Sequence, residues 1–589
     1  MTQQSRQSRA FWLGLSLVLA TVYGLLAVRQ AFESAYVVQD DARQHIFWMQ
    51  RYLDPELFPG DLIADYFQSA APLGYSGLYR LMAALGVEPA FFSKILPPFL
   101  GIITAGYGFF LCLEIFPVPV SGFISSAVLS QTLWASDELS SATPRAFLYP
   151  LLIAFLYYLL RRSLLACLVL IGLQVLLYPQ AALVSLGLVA IRLVHWQDGK
   201  FSFSQNRQDY LLLIVGFCMV LCLALYTRGL SEFGAIVTRA EAESMPEFQE
   251  KGRNAFFLPG IRYWLDGYPG RSGILHRRTA LPITVLAGLF LPPLLWLRPK
   301  SPIRQQVKAG IHMLTQLLLI SFILYGLAHL LLFQLHLPSR YTSHTIRVVL
   351  VLAAGLAWTL ILENTFRACQ SWKRSVFLGR RRGVIRSVFL TFSQTVPLTL
   401  TAALFISLFF YYPLFLNDFP KAVYYDFSEA QPIYEFFAAQ PKDTLIASLS
   451  DEASNLPTFS GRSVLVSREH SLAYHKAYYR QFRQRTEDLI NAQYSDDPAV
   501  LLDFIETYQV DFWLLDRYAF QDAYVAENSW LQQFQPMADD AVSNLRQGAT
   551  PVLQQSIETC TALPTEDWLI LEAECIGAFA AARPSTIAK

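Results

Sequence analysis

Charge is what this sequence has least of: 15% of its 589 residues are Asp, Glu, Lys or Arg, while 54% are hydrophobic. Soluble domains carry about a quarter charged residues, which argues against an ordinary cytosolic enzyme of two or three domains. Cysteine is sparse as well, at seven residues. Cys112, Cys167, Cys218 and Cys222 lie in apolar stretches and Cys369 in a basic loop, where a small buried hydrophobe is the plain reading. Only Cys560 and Cys575 share the polar C-terminal region, which leaves a disulfide and two separate thiols as open alternatives. That region also lacks a phosphate-cradling glycine pattern, a zinc-ligand spacing and a nucleophile elbow, so it reads as a lid, acceptor platform or docking module before a catalytic one.

What fills the sequence instead is a series of apolar runs of roughly 16–24 residues, the length that a helix rising about 1.5 Å per residue needs to cross a ~30 Å hydrocarbon layer. The first, 11–28, has no charge and exceeds the core of a cleaved signal peptide, so it reads as a retained signal anchor. Further runs lie near 91–113, 119–135, 146–160, 163–178, 180–194, 210–227, 280–297, 310–333, 345–362 and 388–416. The stretch 163–194 divides in two because a single helix would be about 48 Å long, with Pro179 removing a hydrogen bond at its middle. The expected fold is a polytopic α-helical membrane protein of about eleven transmembrane helices over residues 1–416.

Charge sets the orientation. Residues 1–416 hold 34 Lys and Arg against 20 Asp and Glu, whereas residues 417–589 hold 12 against 25. A basic membrane module is joined to an acidic tail, and the acidic tail argues against nucleic acid as a partner. With the N-terminus inside, the inner segments carry eighteen Lys and Arg, from Arg6 and Arg9 to the Arg380–Arg382 run and Arg386, while the short outer loops hold Arg145 and Arg340. The triple arginine reads as a cytoplasmic anchor ahead of an acidic-lipid or nucleic-acid patch. This bias places the loops 29–90 and 228–279 and the tail 417–589 outside a membrane, with a bacterial inner membrane fitting the sparse cysteine at least as well as an endoplasmic reticulum.

The tail alternates strand-like runs at 444–449, 463–467 and 511–515 with helix-like runs at 471–492 and 498–508, Pro498 standing where a first helical turn accepts it. An extracytoplasmic α/β domain is expected there. The loop 228–279 opens with Glu241, Glu243, Glu247 and Glu250 and closes on Phe256-Phe-Leu-Pro-Gly-Ile-Arg-Tyr-Trp264, whose aromatics suit a membrane interface. Without an evident core of its own, it has the length of a substrate lid.

Three polar clusters stand at outer helix ends, where charge costs energy unless it faces a polar cavity or a substrate. Asp40 and Asp41 precede a short amphipathic run that includes Arg43 and His45; a helix cap explains one carboxylate, and two adjacent ones point to chemistry. Ser136-Asp137-Glu138 ends the third span, and Pro144-Arg145 opens the fourth. His336-Leu-Pro-Ser-Arg340-Tyr341-Thr-Ser-His344, followed by Arg347, lies between spans nine and ten. Arg340 is either a snorkelling interface anchor or a planar donor fork for an anion. The combination suits a phosphate leaving group, with arginine for its charge and a carboxylate for the incoming hydroxyl.

An acidic pair opening the first outer loop, interfacial helices behind it, a second acidic motif after span three and an outer C-terminal domain resemble the GT-C superfamily of integral-membrane glycosyltransferases. That superfamily includes oligosaccharyltransferases, protein O-mannosyltransferases and the aminoarabinose transferases of lipid A. The match lies in Asp40-Asp41 and, more loosely, Asp137-Glu138. The Trp-Trp-Asp acceptor motif of oligosaccharyltransferases is absent from the tail, where Phe512-Trp513 is followed by Leu, and the subfamily stays open. The resemblance implies transfer of a sugar, usually with inversion, from a polyprenyl-phosphate or polyprenyl-diphosphate donor to a glycan, lipid or protein acceptor on the outer face. It implies Asp40 or Asp41 as general base or acceptor-orienting carboxylate, and Asp137 with Glu138 as oxygen ligands for a divalent cation, Mg²⁺ or Mn²⁺. Arg340, assisted by Arg145, Tyr341 and His344, is the expected phosphate site. Two rivals are a non-enzymatic envelope scaffold and a lipid-linked sugar transporter. The transporter meets no inverted repeat in the hydropathy and polar clusters at one face only.

Overall fold

A computed structural model describes residues 3–197, 200–229, 232–266, 271–275, 279–297, 302–378, 395–396, 398–408 and 425–583. The basic run Arg380–Arg382, Arg386 and most of 388–416 lie outside the described residues. The chain opens with α1 (Gln3–Ala31), followed in the first outer loop by β1 (Val37–Gln39), α2 (Ala42–His45), α3 (Leu62–Ala70) and α4 (Leu73–Ala84). Next come α5 (Pro89–Ile115), α6 (Pro119–Trp134), the single turn α7 (Asp137–Ser140), α8 (Leu148–Leu160), α9 (Leu164–Leu177) and α10 (Pro179–Arg192). A hairpin of β2 (Val194–Gln197) and β3 (Lys200–Phe203) leads into α11 (Arg207–Gly229). The loop 228–279 carries α12 (Arg239–Ser244) and α13 (Arg262–Leu265); α14 (Leu291–Leu297), α15 (His312–Leu330), α16 (Ser339–Leu378) and α17 (Leu398–Leu408) follow.

Among the described residues five helices are long and apolar enough to cross a membrane: Arg6–Ala31, Pro89–Ile115, Arg207–Tyr226, Ala309–Leu330 and Ser339–Arg367. Shorter apolar helices cover Pro144–Leu160, Leu164–Leu177, Pro179–Arg192, Ile283–Trp296 and Leu398–Leu408. Five of the eleven expected runs coincide with full-length helices and five with the shorter ones, 388–416 being described only in part; the run 119–135 is the sixteen-residue α6, in neither set, so a count of eleven crossings does not follow from these helices. Tyr178, extended at φ −152°, separates α9 from α10, and Pro179 takes the first position of α10, where its missing N–H is no loss. In the bundle, α1 packs on α5 and α6, and α16 packs on α6 and α15. At Gly355 a side chain would collide with Ser125 Oγ, so glycine is what lets α16 approach α6, the small-residue packing usual between membrane helices.

The C-terminal region begins with β4 (Tyr425–Phe427), which pairs antiparallel with β1 and so ties the tail to the first outer loop. It continues with α18 (Gln431–Ala438), β5 (Leu445–Ser448), α19 (Leu456–Phe459), β6 (Ser463–Val464), α20 (Lys476–Tyr494), α21 (Pro498–Tyr508) and β7 (Phe512–Asp516). Then follow α22 (Asp522–Ala526), α23 (Met537–Arg546), α24 (Val552–Cys560), β8 (Thr561–Pro564), β9 (Trp568–Glu572) and α25 (Ala573–Ala581). The sheet runs β6-β5-β7-β9-β8, with β5 parallel to both β6 and β7 and β9 antiparallel to β7. The α/β expectation holds, and the three expected strands are β5, β6 and β7. α21 starts where expected because the Asp497 side chain accepts the Ala499 N–H at 2.9 Å and Pro498 follows it. Cys560 and Cys575 form a disulfide between α24 and α25, which decides the alternatives left open by their spacing.

The loop 228–279 is docked, not free. Phe248 and Phe256 are fully buried, and the buried Glu247 carboxylate accepts from Tyr479 at 2.7 Å and Arg483 at 2.6 Å, both on α20. The loop gains its core from the tail, which a reading of the loop by itself does not reveal.

Candidate active site

The helix ends that adjoin the loop 29–90, that loop itself, the loop 228–279 and the C-terminal domain together enclose a cavity of about 1020 Å³. Its walls include every candidate residue named from the sequence except His344. The C-terminal domain contributes the loop that leaves the carboxyl end of β6, which carries Arg468 and Glu469, to the cavity rim. Ligand loops in open α/β sheets sit at that same end of the strands.

Asp41 stands at the N-cap of α2 with φ −69° and ψ −21° and makes no side-chain cap bond. The capping expectation is therefore corrected, for a local reason: the Gln39 side chain takes the Ala42 N–H at 3.2 Å, and the Asp41 carboxylate turns to an ion pair with Arg145. Arg145, on the 3-10 turn Pro144–Phe147, also lies 3.4 Å from Asp137. One guanidinium thus bridges the two acidic motifs. Asp40 instead pairs with Arg43, whose guanidinium also reaches Asp426 at 2.6 Å and Glu469 at 3.5 Å across the junction with the tail. Burial opposes the Arg43 charge, but Glu469, Asp40 and Asp426 outweigh it and raise its pKa.

Glu138 points the other way from Asp137, into the bundle. It is 3.0 Å from the fully buried Arg347, which also donates to the Tyr149 hydroxyl at 2.7 Å. His344 Nδ1 is 3.0 Å from that hydroxyl and 3.8 Å from Glu138, so His344 belongs to this buried network and not to the cavity wall. Asp137 and Glu138 do not fit a shared divalent cation, because each is directed at a different arginine. Among the described residues no three imidazoles, thiols or carboxylates group closely enough to hold a metal.

Arg340 opens α16 at the cavity wall, half-buried, with an Nε that has no hydrogen-bond partner among the described residues. Tyr341 beside it is buried and donates to the Leu335 carbonyl at 2.7 Å, which pins the turn that presents Arg340. Arg253, Arg271 and Arg468 also line the cavity; Arg271 comes from the loop 228–279 and donates to Tyr474 of the tail at 3.1 Å. His336 on the same turn is pushed down to about 3 by burial and then by Arg340, Arg271 and Arg145, so all three guanidiniums surround one neutral imidazole. Val175, Leu183 and Leu223, from α9, α10 and α11, give the cavity an apolar flank.

Arg271, Glu469 and Arg347 were not among the expected site residues. Arg271 and Glu469 arrive from separate outer segments, and no local pattern marks them. Arg347 carried a signal: it lies within the apolar run 345–362, and an ionisable residue inside a span marks a functional or paired position.

No protein-family model matches the chain, and no curated protein does. Among solved structures it is similar to the oligosaccharyltransferase of Archaeoglobus fulgidus in the apo form, with a TM-score of 0.46 and 11% identity over 89% of this chain and 72% of that one. The same archaeal enzyme, AglB, in complex with an inhibitory peptide and a dolichol-phosphate gives 0.47 and 10% over 90% and 72%. ArnT from Cupriavidus metallidurans in the apo state gives 0.47 and 12% over 97% of this chain and 99% of that one. Identities this low transfer no residue role to this chain.

Proposed function

We propose that the chain is a GT-C type membrane glycosyltransferase that moves a sugar from a polyprenyl-phosphate or polyprenyl-diphosphate donor to an acceptor at the outer face. The observation that carries this reading is the gathering of Asp41 and Asp137 with Arg145, Arg271 and Arg340 around one cavity at the outer helix ends. Three guanidiniums suit the charge of a phosphate leaving group, and the apolar flank of α9 to α11 suits a prenyl chain. In the transfer the acceptor oxygen bonds to the anomeric carbon as the bond from that carbon to the phosphate oxygen breaks. The electron pair leaves with the phosphate, and the acceptor proton passes to a carboxylate, the role we assign to Asp41. The outer location rests on the eighteen-to-two Lys and Arg bias and fits the Cys560–Cys575 disulfide, since disulfides persist in oxidising compartments.

The test is the Asp40→Asn/Asp41→Asn double variant, which keeps shape and removes basicity. Membranes holding it, at normal expression and melting temperature, are expected to lose consumption of lipid-linked sugar. A wild-type rate would return the acidic pair to a structural role and favour the scaffold.

A further inference from the structure

The pairing of Asp41 with Arg145 is at odds with the role proposed for Asp41. A carboxylate whose oxygens are engaged by a guanidinium is a weak base and a poor partner for an incoming hydroxyl. Of the five arginines that line the cavity, the three around His336 are also unequally satisfied. Arg145 holds Asp41 and lies 3.4 Å from Asp137, whereas among the described residues the Arg340 Nε is buried without a partner and the Arg271 guanidinium meets only the Tyr474 hydroxyl within hydrogen-bond distance. An anion entering on the side of Arg340 and Arg271 therefore finds two guanidiniums available and a third within its field. That third is held by carboxylates, and a donor phosphate, whose charge is shared over two free oxygens already facing the other two guanidiniums, can take it bidentately in their place. Asp41 and Arg145 sit on different elements, the N-cap of α2 and the turn before α8, so a change of side-chain rotamer separates them without moving either backbone.

We propose that Arg145 is an exchange switch: in the empty cavity it holds Asp41, and a donor phosphate settling between Arg340 and Arg271 takes Arg145 over and frees the Asp41 carboxylate for the acceptor. This rests on the polyprenyl-phosphate reading of the cavity and adds an order to it, in which the acceptor is activated only after the donor is bound. Asp137 keeps Arg145 in the cavity during the exchange. A base masked until the phosphate arrives also protects the site from idle chemistry on water.

The experiment is a double-mutant cycle on binding alone, with undecaprenyl phosphate titrated onto the purified full chain in nanodiscs. If Asp41 competes with phosphate for Arg145, Asp41→Asn should tighten binding by about three- to tenfold, and the gain should fall below about twofold in an Arg145→Gln background. Asp40→Asn, whose carboxylate is on Arg43, reports the field effect of a lost negative charge and should act equally in both backgrounds. An Asp41→Asn gain of the same size in both backgrounds, or a weakening, overturns the switch and leaves the phosphate reading standing. Absence of any binding to the wild-type chain overturns both. Should Arg145→Gln fail to fold, judged by its melting temperature, the wild-type background decides: Asp41→Asn must tighten binding more than Asp40→Asn does, and equal or opposite effects overturn the switch.

Discussion

Arg340 and Arg347 stand two turns apart on one face of α16, and their surroundings give them different work. Arg340 meets the cavity, so its substitution should act on substrate: Arg340→Lys exchanges a planar fork for a point charge and is expected to raise the donor KM or lower kcat by about tenfold, with Arg340→Ala more severe. Donor titration on the purified Lys variant checks this, and unchanged constants would make Arg340 an interface anchor. Arg347 is fully buried against Glu138, so its substitution should act on stability. Arg347→Leu takes the guanidinium away from the buried Glu138 carboxylate and is expected to cost about 3–5 kcal/mol, most of it recovered in an Arg347→Leu/Glu138→Leu pair, as read from melting temperatures. The expectation that His344 helps bind phosphate placed it in a loop between two spans, whereas it lies in α16, one turn beyond Arg340, and faces Tyr149.

The elements legible in the sequence were those with local punctuation. Asp497-Pro498 starts α21, Pro179 splits α9 from α10, and the apolar β5 and β7 declare themselves by composition. β8 and β9 were not read, because four- and five-residue strands placed by an antiparallel return against β7 carry no periodicity of their own. The docking of the loop 228–279 was equally hidden, since its partners on α20 lie more than two hundred residues away. That docking hangs on Glu247. Replacing it by Leu leaves Arg483 its second partner Glu487 at 2.8 Å but strips the Tyr479 and Arg483 bonds from the loop, at an expected cost of about 1–3 kcal/mol. Hydrogen exchange over residues 246–257 should rise accordingly, and unchanged protection there would mean that Phe248 and Phe256 hold the loop unaided.

At the scale of the whole molecule, the first outer loop and the tail act as one body. β1 pairs with β4, Arg43 reaches Asp426 and Glu469, and His470 of the tail is buried between Phe47 and Phe67 of the loop. The acidic tail and basic module were visible as charge totals, but this junction was not, because it consists of single residues contributed by segments about four hundred positions apart. Its histidines give it a pH dependence with a definite sign. Burial pushes His470 down to about 3, aided against a weaker backbone bond by the charges of Arg43 and Arg253, and pushes His45 down to about 4; His475, bonded to Tyr66 at 2.9 Å, is lowered as well. An unfolded histidine takes its proton near about pH 6.5, so below that value the unfolded chain binds more protons than the folded one. Stability contributed by these groups is therefore full above about pH 6.5 and lost progressively as pH falls below it, the loss levelling off at about 4 for His45 and about 3 for His470. For the fully buried His470 the loss approaches about 1.4 kcal/mol per pH unit below 6.5. The melting temperature of the full chain should accordingly fall between pH 7 and 5, and His470→Gln, which keeps a donor and an acceptor for Ser467 and the Arg43 carbonyl without a titratable ring, should flatten that slope. A slope unchanged in His470→Gln would show that the junction tolerates the charged ring, and would place the acid sensitivity elsewhere in the chain.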